Sequence, residues 1–191
     1  MKMLRAFLFL VEITQKWELR IRSDTHFLVL RNAYPNKTTI FASQNLFTKN
    51  NPSMKPLITV ESTVNAPVKK VWEFWTTPKH IEKWNNASDD WHTPYAENDL
   101  RIGGKFLSRM ATKDGSFSFN FEGIYDDLKQ NEAINYTMAD GRKAKISFVE
   151  EENSTKITET FEAEDTNATE IQQGGWQAIL DNFKKYVETT P

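Results

Sequence analysis

One glutamate in this 191-residue chain stands where a carboxylate is hard to accommodate. In "TKITETFEAE" (155–164) the pattern alternates, and Ile157, Phe161 and Ala163 share one face of the implied strand. Glu159 lies between them on that face. A carboxyl group turned into an apolar interior loses hydration, its pKa rises, and it can serve as a general acid, a general base or a ligand anchor. Two other environments are open to it. A neighbouring strand can supply a cation, with Arg109 or Arg142 as candidates. Alternatively a β-bulge can turn the side chain outward.

Other chemistry is sparser. "SDDWHTP" (88–94) brings Asp89, Asp90 and His92 together, but nothing at strand or helix spacing adds further ligands, so the segment reads as a solvated loop. His26, His80 and His92 are scattered and suggest no metal site, and His80 is expected to be exposed on a short helix with no role. The chain has no cysteine, which excludes disulfides, zinc thiolates and cysteine nucleophiles. No histidine stands beside a serine in a recognisable nucleophile–base motif. No cofactor is implied and no catalytic residue is assigned.

The bulk composition narrows the partners. A formal net charge of −2 gives no reason to expect nucleic acid. The charge is uneven: residues 1–53 hold 8 Lys/Arg against 3 Asp/Glu, and residues 54–191 hold 16 against 23. All seven glycines lie at or beyond Gly103. The stretch "NAYPNKTTIFASQNLFTKNNPS" (32–53) is rich in Asn, Thr and Ser without a sustained period. The apolar run Ala6–Val11 is too short to span a bilayer and is cut by Glu12, with no small-residue cleavage site before Lys16. Residues 1–53 therefore read as a poorly ordered extension, in keeping with translation from an upstream start. Residues 54–191 read as one domain, expected in the cytoplasm and not in a membrane.

The elements that must position Glu159 follow from hydrophobic period. Leu57–Val64 alternates as a strand. Pro67 opens a helix with Val68, Val71, Trp72 and Trp75 at helical spacing, and Thr77-Pro78 opens a second with Ile81 and Trp84. The segment 85–104 has no clear period. Strands then follow at "FLSRMA", at Phe117–Glu122, and at "EAINYTM", "KAKISFVEE" and "TKITETFEAE", with tight turns at Asp114-Gly115 and Asp140-Gly141. The closing segment "QQGGWQAILDNFKKYV" (172–187) puts Trp176, Ile179, Leu180, Phe183 and Val187 on one helical face. Gly174 and Gly175 interrupt its head. They lack the context of a phosphate loop. A frayed or bent turn over 169–175 and a plain loop-to-helix junction are the two readings, each with regular helix from Trp176. An apolar sheet face needs cover, and only this helix is long enough. The expected class is α+β: a curved antiparallel sheet wrapped around a long C-terminal helix, with two short helices after the first strand.

"APVKKVWEFWTTPKHIEKW" and "GGWQAILDNFKKYVE" resemble the opening and closing motifs of the START-like (SRPBCC) superfamily, most closely its branch similar to the activator of the heat-shock-protein-90 ATPase. "GGKF" (103–106) and "DGR" (140–142) match turns of such sequences, and the resemblance spans about Leu57 to Glu188. It implies a helix-grip fold with an internal cavity, in which some members bind lipids, hormones or polyketides and a few act as cyclases or hydratases. On that basis the cavity candidates are Trp72, Trp84, Trp91, Phe106, Phe119, Phe121, Tyr136, Phe148, Glu159, Phe161, Trp176 and Leu180. The implied role is to bind an apolar or aromatic small molecule. A protein-interaction module with a chaperone partner is the alternative. Against it, the eukaryotic activators carry a separate N-terminal domain, and residues 1–53 are too short and irregular to replace one. A cyclase or hydratase would need a polar cavity residue, for which Glu159 is the candidate.

Overall fold

The structure, a computed structural model, describes residues 55–191. The expected extension 1–53 and the domain start at Met54 lie outside the described residues. The chain opens with strand β1 (Leu57–Val64), followed by helices α1 (Val68–Thr76) and α2 (Pro78–Trp84). Strands β2 (Trp91–Asn98), β3 (Lys105–Thr112), β4 (Ser118–Lys129), β5 (Ala133–Met138), β6 (Lys143–Glu151) and β7 (Ser154–Glu162) come next, and helix α3 (Thr169–Thr189) closes the chain. The seven strands form one antiparallel sheet in the order β1-β7-β6-β5-β4-β3-β2. It curls around α3 in the helix-grip arrangement.

The alternation in β5, β6 and β7 produces this layering. In β7 the side chains of Thr155, Ile157, Glu159 and Phe161 point inward and are buried, and the intervening residues are partly exposed. Ala144, Ile146 and Phe148 do the same in β6, and Ile134, Tyr136 and Met138 in β5. From α3 the fully buried Leu180, Phe183 and Val187 meet this face. Trp75 and Trp84 close on Phe183 from α1 and α2, each with ring centroids 4.8 Å away and edge-on.

The sheet has two edges, β1 and β2, and each is covered differently. On β1, the side chain of Gln173 donates to the Thr59 carbonyl and that of Gln177 to the Glu61 carbonyl, while the Asn65 amide donates to Glu188. Helix α3 thus satisfies backbone groups that an open edge would offer to another chain. On the far side β2 packs against α2.

Three expectations need correction. The segment 85–104 contains a strand, β2, which begins at Trp91 rather than leaving that residue in a loop. Its register shifts between His92 and Tyr95, around Pro94, so the period of two is broken where it would have been read. Proline is tolerated there because β2 is an edge strand. Second, His80 is half-buried. Its ring stacks on Phe74 with centroids 3.8 Å apart, and its Nδ1 shares a hydrogen bond of 2.9 Å with the Tyr186 hydroxyl. It ties α2 to α3.

Third, α3 is helical from Thr169 and runs through both glycines, with neither a loop nor a frayed turn before Trp176. Its start is anchored by Gln172, which is buried and accepts from the Glu164 amide while donating to the carbonyls of Glu164 and Asn167. A Cβ added at Gly174 would meet nothing within 4 Å. Gly174→Ala should therefore raise stability by about 0.5–1 kcal/mol, the usual difference between the two residues inside a helix. Urea midpoints of the two proteins test this, and an unchanged or lower midpoint would mean the first two turns are not regular helix.

Candidate functional site

Between the inner face of the sheet and the first half of α3 lies a cavity of about 90 Å³. Its walls are Trp75, Ile81, Trp84 and Asn85 from the α1–α2 region and Glu97, Phe106, Ser108, Phe121 and Tyr125 from β2–β4. Ile134, Tyr136, Ile146 and Glu159 from β5–β7, with Trp176 and Ile179 from α3, complete them. The aromatic walls brace one another. Trp176 is half-buried, stacks on Phe161 at 3.8 Å and meets Phe121 edge-on at 5.9 Å. Phe106 meets Tyr136 edge-on at 4.9 Å. Gly123 makes room for this, since a Cβ there would come within 2.7 Å of the Phe106 ring and 2.6 Å of the Thr137 carbonyl.

Glu159 sits in this wall with 6% of its surface exposed. Its cross-strand partners are Val60 on β1 and Ile146 on β6, so the carboxyl group emerges from a row of aliphatic side chains. The ion pair and the outward bulge are both overturned. Arg109 donates to Ser118 on the exposed face. Arg142 holds Asp140 at 2.7 Å and donates to the Glu162 carbonyl at 3.1 Å. Among the described residues no ion pair forms with Glu159. Its one hydrogen bond is a long one, donated by the Tyr136 hydroxyl to Oε1 at 3.5 Å. Burial pushes the carboxyl up from the ordinary 4.5 to about 8, with the Tyr136 hydrogen bond opposing this only in part. Burial also raises Tyr136 well above a free phenol, and the neighbouring Glu159 charge adds to that. The Tyr125 hydroxyl is shifted upward by burial too, although it donates to Asn98 at 2.8 Å.

Six of the twelve candidates named from sequence come together in the wall: Trp84, Phe106, Phe121, Tyr136, Glu159 and Trp176. The other six are placed elsewhere. Trp72 packs edge-on against Phe148, both in the solid core. Phe161 lies behind Trp176, and Leu180 is sealed in the core. Trp91 and Phe119 contact each other and Phe117 at the far end of the sheet. Period reports which face is buried, not which part of that face is left unfilled. The same logic explains the residues missed. Ser108 alternates with Phe106 and Met110, and Tyr125 continues the alternation of Phe119, Phe121 and Gly123, so both were detectable as inward-facing. Asp89 and Asp90 are exposed in the turn before β2, and His92 lies on β2 itself. Among the described residues no three His, Cys, Asp or Glu side chains gather where they could hold a metal.

A family model described as activator of Hsp90 ATPase homolog 1-like protein matches residues 65–188. The solution structure of an AHSA1-like protein from Aeromonas hydrophila is similar at 41% identity and a TM-score of 0.67, over 70% of this chain and 92% of that one. A solution structure from Cytophaga hutchinsonii is similar at 54% identity and a TM-score of 0.61, over 69% and 91%. A crystal structure from Chromobacterium violaceum, at 21% identity and a TM-score of 0.64 over 71% and 99%, shows the fold alone. The search of curated proteins found no match. No helix among the described residues is long and apolar enough to cross a membrane.

Proposed function

This chain belongs to the family of activator of Hsp90 ATPase homolog 1-like proteins, and from that premise we propose that it is a binding module holding a small aromatic molecule between α3 and the sheet. The family and fold are those of a ligand-binding or interaction module in general. The observation that carries the narrower reading is the cavity itself: an aromatic enclosure with a buried carboxyl in its wall. A carboxyl with no cation beside it is costly in a solid core. It is better accommodated where an occupant or water can reach it.

Size limits the occupant. At about 90 Å³ the space falls well below the roughly 300–1,000 Å³ that hold drug-sized ligands. A single ring is already at the limit of this scale, so a ring with a short substituent fits only with half-buried Trp176 yielding on one side. Native mass spectrometry of the full chain, purified from its own host, tests the reading. The expected spectrum carries a bound species no heavier than a single ring with a short substituent, released at raised collision energy. A bare protein that also takes up no added single-ring aromatic would count against it.

A further inference from the structure

We propose that Glu159, backed by Tyr136, is a hydrogen-bond donor that selects occupants carrying a neutral acceptor oxygen, such as the carbonyl of a small aromatic ketone or ester, over hydrocarbons and amines. This rests on the binding reading above and narrows its chemistry.

The geometry has three parts. The Tyr136 hydroxyl donates to Oε1, which leaves Oε2 of Glu159 without a hydrogen-bond partner among the described residues. That oxygen belongs to a side chain more than nine-tenths buried in the cavity wall. Ser108 is 5% exposed and also lines the cavity, and its hydroxyl has no partner among the described residues either. The cavity therefore offers two unused polar groups amid aromatic faces.

The state of Glu159 decides what it wants. Its carboxyl is pushed up to about 8, so it is protonated at neutral pH. A proton on Oε2 makes it a donor toward the cavity, and the bond from Tyr136 to the other oxygen polarises it further. A carbonyl oxygen satisfies that donor. A hydrocarbon leaves it unpaired, which is costly in a dry site. An ammonium group requires the carboxylate form, and burying an ion pair here costs desolvation of both charges. Among the described residues the cation that acts on this pair is Arg142, just before β6; its charge reaches Tyr136 but is held by Asp140 at 2.7 Å. The groups that titrate on this side are Tyr136 from β5 and Tyr125 from β4, while Glu97 of β2 is exposed and accepts from the Tyr95 hydroxyl. The neighbours from β1, β6 and α3 are Val60, Ile146, Trp176 and Ile179, none of which titrates.

Three probes of nearly the same shape separate the possibilities: acetophenone, α-methylbenzylamine and cumene. Their affinities for the full chain are measured by tryptophan fluorescence at about pH 6.5 and about pH 9, on either side of the Glu159 transition. Acetophenone should weaken about tenfold at the higher pH as the donor is lost, and cumene should not change. In Glu159→Gln the amide keeps a donor, so acetophenone should still bind and its pH dependence should vanish. If cumene binds and acetophenone shows no pH dependence, the donor role fails while the cavity reading stands. Amine binding tighter than acetophenone at about pH 6.5, where the amine is fully cationic, would assign Glu159 as an anion instead and overturn the proposal. Persistence of the acetophenone dependence in Glu159→Gln would trace it to another group and also overturn it. Should none of the three bind, the cavity reading itself fails.

Discussion

Glu159→Gln will abolish a decline in stability that the wild-type protein shows as pH rises from about 4.5 to about 8. In the unfolded chain this carboxyl titrates near the ordinary 4.5, and in the folded protein it titrates near 8. Between those values the folded state holds a proton that the unfolded state has released. The unfolded state binds fewer protons, so unfolding free energy falls with pH across this window. The contribution is fully present below 4.5 and lost by the time pH passes 8. A difference of this size converts to on the order of 4–5 kcal/mol at roughly 1.4 kcal/mol per pH unit. The cause is burial among Val60, Ile146 and the aromatic wall without a cation to offset it. Glutamine is nearly isosteric and cannot ionise. The variant should match wild type near pH 4.5 and exceed it by several kcal/mol at pH 8 and above. Urea melts of both proteins at three pH values measure this. Parallel pH profiles would show that Glu159 is hydrated in the folded state.

Phe183→Ala should cost about 3–5 kcal/mol, the range for removing a large buried aromatic. Phe183 has no exposed surface and receives the edges of both Trp75 and Trp84. It is the ring through which α3 holds α1 and α2 together, and its loss leaves a void that three separate elements would have to close. Trp176→Ala should cost less. Trp176 is half-buried beside the cavity, so part of the lost volume was never in contact with protein. Urea midpoints of the two variants give the ranking. Equal losses would mean that the Trp176 end of the helix is packed as solidly as the Phe183 end.

The contrast between these two rings shows how far sequence could reach. Both stand on the apolar face of "GGWQAILDNFKKYV", and nothing in the spacing distinguishes them. Their difference arises from what the sheet places opposite: Trp75 and Trp84 against Phe183, and a gap bounded by Phe121, Glu159 and Ser108 near Trp176. A gap is a property of packing in three dimensions, and period alone carries no trace of it. Glu159 was legible because it violates a pattern, standing between Ile157 and Phe161 on a strand whose alternation is otherwise strict. Its partner was not. Whether Arg109 or Arg142 reaches it depends on register and sheet curl, and those turn both cations away. Strand β2 was hidden by its bulge and by Pro94, which erase alternation locally even though six of its residues keep partners on β3. The two glycines misled in the opposite direction. Their propensity argues against helix, and the Gln172 hydrogen bonds together with the packing of Leu180, Phe183 and Val187 outweigh that local cost.

The space beside Trp176 is proposed to take up a small aromatic molecule. The most direct measurement is a titration of the ¹⁵N-labelled full chain with cumene, following the tryptophan indole N–H resonances by NMR. Trp75, Trp84 and Trp176 line the cavity, whereas Trp72 lies in the solid core and Trp91 at the far end of the sheet. Saturable shifts are expected at Trp75, Trp84 and Trp176, with Trp72 and Trp91 essentially still. Shifts centred on Trp72 or Trp91, or no saturable shift at any of the five, would contradict this uptake.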